Sequence, residues 1–362
     1  MPGLYIGLMS GTSMDGIDAV LVDLRNAPKL LHHAHQPFSP QLRETLLALN
    51  EPGDDELHRA ALAANALALG YATVVRTLLT QTHMTTDQVA AIGCHGQTVR
   101  HRPESGYTLQ LVNAALLAEL TGIRVVCDFR SRDIAAGGEG APLVPAFHRA
   151  VFSHPQQSRA IVNIGGIANI TSLPAQGDVI GFDCGPGNVL MDGWIMAHQG
   201  ATYDAGGAWA AQGTVLPELL ERLLAHEFFG RLPPKSTGRE TFNLQNLKQV
   251  LAGNERPADV QATLCDLTAT SIARALSAYC ADAKEIYLCG GGARNDVLCQ
   301  RLAVLLPGIR VAITDELGIA AESVEAAAFA WLAQRTLAGE PGNLPQVTGA
   351  RGLRVLGAIY PA

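Results

Sequence analysis

Three apolar, strand-like segments of this chain run directly into short clusters of glycine, and this recurrence limits the fold more than any other feature. The three junctions are Leu4–Met9 before Ser10–Asp18, Ala160–Ile164 before Gly165-Gly166, and Ile286–Cys289 before Gly290-Gly291-Gly292. Glycine allows sharp backbone turns and close approach of a ligand to the chain. Helix-spaced apolar residues separate the strand-like segments, as from Asp54 to Thr82. This alternation predicts an α/β fold.

Each half of the chain opens with a pair of strand-like segments around a glycine-containing turn, at residues 4–23 and again at residues 160–171. We therefore predict two related domains that face a cleft, with a boundary near residue 130. The first domain would comprise residues 1–130 joined by residues 343–362, and the second would comprise residues 131–342. An amphipathic helix is expected over Leu109–Leu120.

The charge and composition of the chain exclude several classes of function. The net charge is −7, and only four of the 26 basic residues are lysines, which disfavours binding to nucleic acids or to anionic membranes. No basic segment precedes Leu4, and no apolar run approaches the roughly 20 residues of a membrane span. We therefore expect a cytoplasmic location. The seven cysteines include no CxxC pair, so buried free thiols are expected, and Cys94-His95 lacks the second ligand pair of a structural zinc site.

The first glycine cluster, Ser10–Asp18, combines glycines, hydroxyls and two carboxylates directly after a strand. Hydroxyls and backbone amides suit phosphate oxygens, whereas Asp15 or Asp18 suits Mg²⁺ through its bound water. The alternative is a hairpin turn whose polar side chains bond only to their own backbone. The third cluster, Gly290–Gly292, fits a phosphate seat at a helix N-terminus. Because no P-loop, GxGxxG or HRD motif is present, we expect a nucleoside triphosphate held by a different fold.

Several long motifs carry a resemblance to one family across nearly the whole chain. They are Gly7–Asp18, Cys94–His101, Asp128–Gly138, Asn163–Thr171, Gly181–Asn188, Lys235–Glu240 and Gly290–Asn295. In these motifs the chain resembles the anhydro-N-acetylmuramic acid kinases, with Met14 where leucine is more usual. The resemblance implies the actin-like, ribonuclease H-like fold: two α/β lobes with mixed sheets flanking a nucleotide cleft.

Members of that family convert 1,6-anhydro-N-acetylmuramic acid, ATP and water into N-acetylmuramic acid 6-phosphate and ADP, in peptidoglycan recycling and amino-sugar catabolism. The resemblance implies ATP and Mg²⁺ as cofactors and a homodimer as the assembly. It also implies a set of nucleotide-binding residues, namely Gly11, Thr12, Ser13, Met14, Asp15, Gly16, Ile17, Asp18, Gly165, Gly166, Gly290, Gly291 and Gly292.

Two carboxylates are the candidate catalytic residues. Asp183 matches the family's catalytic aspartate and is expected at a strand end, after Val179–Phe182, where it would act as the base that activates water. A local bond from Asp183 to the backbone is the alternative. Glu325 lies in a segment that resembles the family's EA-x-AFA helix, with a catalytic or water-orienting role. The alternative is an ordinary first-turn acid in a helix that the Ser323 side chain caps.

Arg130 is suited to hold the lactyl carboxylate of the sugar, because guanidinium and carboxylate pair in a bidentate manner. Its alternative is a surface pair with Asp133. Gln97 and Thr98 are expected to contact the sugar on the motif match alone. Lys235 would either touch the substrate or brace a loop, and no role is assigned to the run His32, His33 and His35.

Two other functions compete with the leading hypothesis. An ordinary hexose or amino-sugar kinase of the same fold would deprotonate a free hydroxyl instead of activating water. A sugar-sensing regulator without turnover is disfavoured because no helix-turn-helix segment precedes Leu4.

Overall fold

The computed structural model describes residues 3–11, 14–238 and 241–362. Two units are formed by the chain. Unit 1 comprises Met1–Val151 with Ser323–Ala362, and unit 2 comprises Phe152–Glu322. The division predicted from sequence, near residues 130 and 342, differs because residues 131–151 and 323–342 pack within unit 1.

Strands and helices alternate along most of the chain. The strands are β1 (Leu4–Met9), β2 (Gly16–Asp23), β3 (Lys29–Pro37), β4 (Val89–Cys94), β5 (Gln97–Arg102), β6 (Tyr107–Leu111), β7 (Val125–Cys127), β8 (Arg159–Ile164), β9 (Ile167–Leu173), β10 (Ile180–Pro186), β11 (Glu285–Cys289), β12 (Arg310–Ile313) and β13 (Ala358–Tyr360). The α-helices are α1 (Pro40–Ala48), α2 (Glu56–Thr82), α3 (Ala114–Thr121), α4 (Ser131–Ala135), α5 (Val144–Phe152), α6 (Val189–Gln199), α7 (Pro217–Leu224), α8 (Glu227–Gly230), α9 (Leu244–Val250), α10 (Pro257–Tyr279), α11 (Asp296–Leu305), α12 (Val324–Leu337) and α13 (Pro345–Thr348).

The main sheets of the two units have the same succession of strands. In unit 1 the order is β13-β7-β4-β1-β2-β3, where β1, β2 and β3 pair antiparallel and β4 pairs parallel to β1. In unit 2 the order is β10-β9-β8-β11-β12, where β8, β9 and β10 pair antiparallel and β11 pairs parallel to β8. The repeated hairpin followed by a parallel strand confirms the predicted α/β fold with mixed sheets.

The two faces of β1 pack against different helices because successive side chains of a strand point in opposite directions. Ile6 and Leu8 are fully buried in a cluster with Leu67 and Tyr71 of α2. On the other face, a Cβ atom built on Gly7 would lie 1.8 Å from the Ala326 carbonyl oxygen of α12. The corresponding atom on Gly93 of β4 would lie 2.0 Å from the Phe329 carbonyl oxygen. The backbone of α12 therefore approaches the sheet closely at two glycines.

The predicted helix over Leu109–Leu120 is wrong in its first part. Residues Tyr107–Leu111 form β6, which pairs antiparallel with β5, and the helix α3 begins only at Ala114. Asn113 starts this helix, because its side chain accepts a hydrogen bond from the Leu116 backbone N–H. Pairing with β5 outweighed the leucines that had suggested a helix.

Helix α2 is long and apolar enough, by length and composition, to cross a membrane, and no other such helix occurs in the described ranges. Its most apolar stretch is half buried within the protein. Leu67, Tyr71 and Val75 are fully buried against the sheet of unit 1. The helix thus serves as a core element, although its apolar length was not recognised from the sequence.

All seven cysteines are free thiols, and six of them are buried, as predicted. Cys299 is partly exposed. Within the described ranges, no group of three His, Cys, Asp or Glu side chains is arranged to hold a metal ion.

Candidate active site

Buried polar side chains form hydrogen bonds that hold the start of the turn between β1 and β2. The Ser10 hydroxyl lies 2.7 Å from the Tyr71 hydroxyl and donates to the Gly96 carbonyl at 3.2 Å. Gln97 is fully buried, and its Nε2 donates to the Gly11 carbonyl at 3.2 Å. These bonds fix the start of the predicted phosphate loop. The predicted residues Thr12 and Ser13 lie outside the described ranges.

Asp18 at the end of this loop is held by two histidines of the run to which the sequence assigned no role. His33 Nε2 and His35 Nδ1 donate to Asp18 Oδ1 at 3.1 and 3.0 Å, and His32 bonds to Gln81 at 2.8 Å. Burial opposes ionisation of Asp18, but the bonds from both histidines prevail and lower its pKa. The bond to Asp18 likewise raises the pKa of His35, in spite of partial burial.

Arg130 is partly buried and held by neighbours other than Asp133. Its Nε and Nη2 donate to His95 Nε2 at 3.1 and 2.9 Å, and its Nη1 donates to the Gly140 carbonyl at 2.8 Å. Burial lowers the pKa of Arg130 to about 10, while the charges of Glu325 and Asp133 oppose this shift. The side chains of Arg130, His95 and Glu325, together with the Gly140 backbone, are called the arginine cluster below.

The alternative of a surface pair between Arg130 and Asp133 is therefore wrong. Asp133 is fully buried, and its Oδ2 accepts from the Gly140 backbone N–H at 2.9 Å. Its Oδ1 accepts from Asn343 Nδ2 at 2.7 Å and from the Thr348 hydroxyl at 2.9 Å. Asp133 thus ties the Arg130–Gly140 segment to the C-terminal residues of unit 1.

Glu325 lies in the first turn of α12 and is partly buried. Ser323 occupies the N-cap position, but its side chain makes no capping hydrogen bond, so the expected Ser323 cap is absent within the described part of the chain. Glu325 is positioned instead by its neighbour in α12, because the Ala326 backbone lies in close contact with Gly7 of β1. Its charge raises the pKa of Arg130 against the effect of burial, which brings these two predicted residues into one electrostatic environment.

Asp183 lies within β10 and not at its end, since the strand continues to Pro186. The register with β9 shifts between Asp183 and Gly185, so an irregularity in the ladder follows the carboxylate directly. The Thr237 backbone N–H donates to Asp183 Oδ2 at 2.9 Å, and the Asp183 N–H donates to the Lys235 carbonyl at 3.0 Å. The segment from Lys235 to Thr237 therefore fixes both the backbone and the side chain of Asp183.

Lys235 braces this segment through its own side chain. Its Nζ donates to the Phe228 carbonyl at 3.3 Å and lies 4.7 Å from the centre of the Phe228 ring, a cation–π contact. Burial is the largest cause that lowers the pKa of Lys235. Of the two roles considered for Lys235, the contacts favour the structural one.

The glycines predicted in unit 2 gather at the carboxyl ends of the parallel strands β8 and β11, where α/β sheets commonly bind ligands. The Gly166 and Gly165 carbonyls accept from the backbone N–H groups of Gly187 and Asn188 at 2.9 and 2.8 Å. A Cβ on Gly187 would lie 2.2 Å from the Gly165 carbonyl oxygen. Gly187 thus packs directly against Gly165 and belongs to the same glycine cluster. It was not predicted as a site residue, although the Gly185-Pro186-Gly187 run could have indicated it.

Gly290–Gly292 complete the junction. Gly290 has a φ of +78°, and a Cβ there would lie 2.4 Å from Asn163 Oδ1, so a larger residue would be both strained and crowded. A Cβ on Gly292 would lie 2.3 Å from Ile164 Cγ2. Close packing against Asn163 and Ile164 therefore requires glycine at both positions.

Thr98 lies in β5, where its hydroxyl accepts from Gln110 Nε2 at 3.2 Å. The Oε1 atom of the neighbouring Gln97 is buried and has no hydrogen-bond partner among the described residues. A buried amide oxygen is rarely left without a donor, so this atom is the part of Gln97 suited to a ligand hydroxyl.

Comparison with known proteins assigns the chain to a family. Residues 3–362 match the family described as anhydro-N-acetylmuramic acid kinase. The anhydro-N-acetylmuramic acid kinases of Nitrosospira multiformis and Nitrosomonas europaea are 58% and 56% identical over 361 residues, which cover 99% of this chain and 99% of each relative. Component A of (R)-2-hydroxyglutaryl-CoA dehydratase from Acidaminococcus fermentans is similar in fold, with a TM-score of 0.50, 13% identity, and coverage of 90% of this chain and 96% of that one. The chain belongs to the anhydro-N-acetylmuramic acid kinase family.

Proposed function

We propose that this protein is an ATP-dependent kinase that opens 1,6-anhydro-N-acetylmuramic acid with water and phosphorylates O6. The products are N-acetylmuramic acid 6-phosphate and ADP, and the role is peptidoglycan recycling. The full-length match to relatives of this name, at 56–58% identity, is the observation that carries the proposal. It disfavours the alternative of an ordinary hexose kinase.

The chemistry of the substrate determines what the protein must supply. O6 of the anhydro sugar is an ether oxygen bonded to C1, so it carries no proton for a base to remove. Water must therefore attack C1 while the C1–O6 bond breaks, and O6 forms a bond to the γ-phosphorus as the bond to ADP breaks. Phosphoryl transfer to O6 replaces the proton that a general acid donates in an inverting glycosidase.

Asp183 is the proposed base that takes the proton from the attacking water. Its partly buried carboxylate is oriented by the Thr237 N–H on Oδ2, and its backbone is fixed by the Lys235 carbonyl. A positioned carboxylate can accept a proton without first rotating into place, which supports this role. Glu325 is the second proposed catalytic residue, with the task of orienting water, because its charge lies within the influence of Arg130.

Recognition of the sugar is assigned to the arginine cluster and to Gln97 and Thr98. Arg130 is partly buried, and His95 and Gly140 engage three of its five N–H groups. The two remaining N–H groups, one on Nη1 and one on Nη2, can pair with a carboxylate, and this supports the proposed contact with the lactyl group. The Gln97 Oε1 atom is the proposed acceptor for a sugar donor.

The nucleotide is proposed to bind at Gly11–Asp18, Gly165-Gly166 and Gly290–Gly292, where backbone amides serve its phosphates. Mg²⁺ would neutralise phosphate charge, with Asp15 or Asp18 as its partner through bound water. The cytoplasmic location and the homodimer are further proposals, and the homodimer is based on the family resemblance alone.

The deciding experiment runs the reaction in ¹⁸O-water with coupled detection of ADP. Label is expected in the C1 hydroxyl of the product, and label in phosphate would instead indicate plain ATP hydrolysis and refute the scheme. Asp183→Asn should lower kcat by about 10²- to 10⁴-fold, because it removes the base. Asp178→Asn is the matched control, since Asp178 is an exposed aspartate of the same unit. Full activity of Asp183→Asn would exclude Asp183 as the base.

A further inference from the structure

His95 follows β4 directly and is held in one orientation. Its backbone N–H donates to the Leu8 carbonyl at 3.0 Å, and its ring lies 4.6 Å from the Phe329 ring between centroids. Nδ1 lies 2.7 Å from the Gly96 carbonyl oxygen. Because a carbonyl oxygen can only accept, Nδ1 carries the proton, and Nε2 presents a lone pair when the ring is neutral.

The surroundings keep this ring neutral. Burial, followed by the positive charge of Arg130, lowers the pKa of His95 to about 3. His95 is therefore uncharged across the physiological range of pH, and its Nε2 is available as an acceptor. Two donors of Arg130 use it, Nε at 3.1 Å and Nη2 at 2.9 Å.

These contacts determine which edge of the guanidinium is presented. Nε and Nη2 form one edge of the planar group, and His95 occupies it. Gly140 takes one hydrogen of Nη1 and is itself held by the buried Asp133. The carboxylate of Asp133 already accepts three hydrogen bonds, and the charge of Glu325 also acts on Arg130.

We propose that His95 is a positioning residue that orients Arg130 for the carboxylate of the substrate, and so selects acidic anhydro sugars. This inference rests on the proposed function. A neutral acceptor suits the task, since it fixes the guanidinium without adding a further negative charge to those of Glu325 and Asp133. An aspartate at the same position would compete with the substrate for the charge of Arg130. The pre-ordered side chain also spares the substrate the entropy of ordering it.

Two polar substitutions separate this role from a general structural one. His95→Gln places an amide oxygen near the position of Nε2, whereas His95→Asn reaches only the position of Nδ1. We expect His95→Asn to raise KM for the acidic sugar by about 10- to 100-fold, because Arg130 loses its orientation. We expect His95→Gln to restore most of this loss, with KM for ATP unchanged in both variants. His148→Asn is the control, since His148 is another buried histidine of unit 1.

Specificity gives the second readout. The same variants are assayed with the anhydro sugar that lacks the lactyl ether and thus the carboxylate. His95→Asn should lose the preference for the acidic sugar, and an equal loss on both sugars, or equal KM values for the Asn and Gln variants, would overturn the inference. Exchange of the Arg130 Nε proton, followed by NMR, should be slow in the parent and His95→Gln but fast in His95→Asn. If the parent protein converts neither sugar, the proposed function and its substrate are refuted. If exchange of the Arg130 Nε proton remains slow in His95→Asn, the proposed orientation of Arg130 by His95 is refuted.

Discussion

A single methyl group added at Gly7 should displace the helix that carries Glu325. In Gly7→Ala the new Cβ would lie 1.8 Å from the Ala326 carbonyl oxygen and 3.0 Å from the Ala330 backbone nitrogen. An ordinary contact needs 3.4 Å, so α12 and β1 must separate by about 1.6 Å. Both neighbours are backbone atoms in regular elements, which cannot rotate away as a side chain can.

The separation should affect stability and activity together. Overpacking of this kind costs about 1–3 kcal/mol, and the rigid neighbours place Gly7→Ala near 3 kcal/mol. For a unit of this size, that corresponds to a loss of roughly 6–12 °C in Tm. Because Glu325 precedes Ala326 and Phe329 supports His95, kcat/KM for the sugar should fall about 10²-fold.

Thermal unfolding and the ADP-coupled assay test this prediction on the same preparation. Gly53→Ala is the matched control in unit 1, because its Cβ would meet only the flexible end of Arg59 at 3.2 Å. Gly93→Ala should behave like Gly7→Ala, since its Cβ would lie 2.0 Å from the Phe329 carbonyl oxygen. A Gly7→Ala protein with the parent's Tm and kcat/KM would refute the close approach of α12.

Two further substitutions probe buried and paired charges of unit 1. Asp133→Asn should destabilise the protein by about 1–3 kcal/mol in denaturant unfolding. The NH₂ group of the new amide would have to face a donor, either the Gly140 N–H or those of Asn343 and Thr348. Stability equal to that of the exposed control Asp178→Asn would contradict this prediction. His35→Asn should lower Tm most between about pH 4 and 6.5, where Asp18 is ionised and His35 protonated in both folded and unfolded chains. The effect should fade as the pH rises through the raised pKa of His35 or falls through the lowered pKa of Asp18, and a pH-independent difference would exclude this pairing.

Features that depend on neighbours in the chain could be predicted from the sequence. The β1 strand, its glycine-containing turn and the β2 strand follow from local patterning, as does the long helix α2. The repetition of this hairpin at β8 and β9 also predicted the matching sheets. Motif resemblance placed Arg130 and Glu325 in the same site, and the two residues interact electrostatically within unit 1.

Contacts between residues distant in sequence could not be predicted in the same way. Gly7 and Gly93 have an obvious role only once α12, more than 200 residues later, lies on them. The histidines at 33 and 35 showed no partner because Asp18 meets them through the register of β2 and β3. The clustered glycines indicated phosphate sites, whereas the isolated Gly7 and Gly93 allow α12 to pack closely on the sheet.

The insertion of unit 2 within unit 1 has a consequence for the synthesis of the chain. Unit 1 is made of Met1–Val151 and Ser323–Ala362, so the ribosome must complete the 171 residues Phe152–Glu322 before α12 emerges. At about 5–20 residues per second this delay lasts roughly 10–30 s. During that time the sheet face at Gly7 and Gly93 has no helix to cover it, whereas unit 2, which is continuous, can fold as soon as it is translated. Translation that stops before Ser323 should therefore release a folded unit 2 attached to an incomplete unit 1, a natural target for chaperones and proteases.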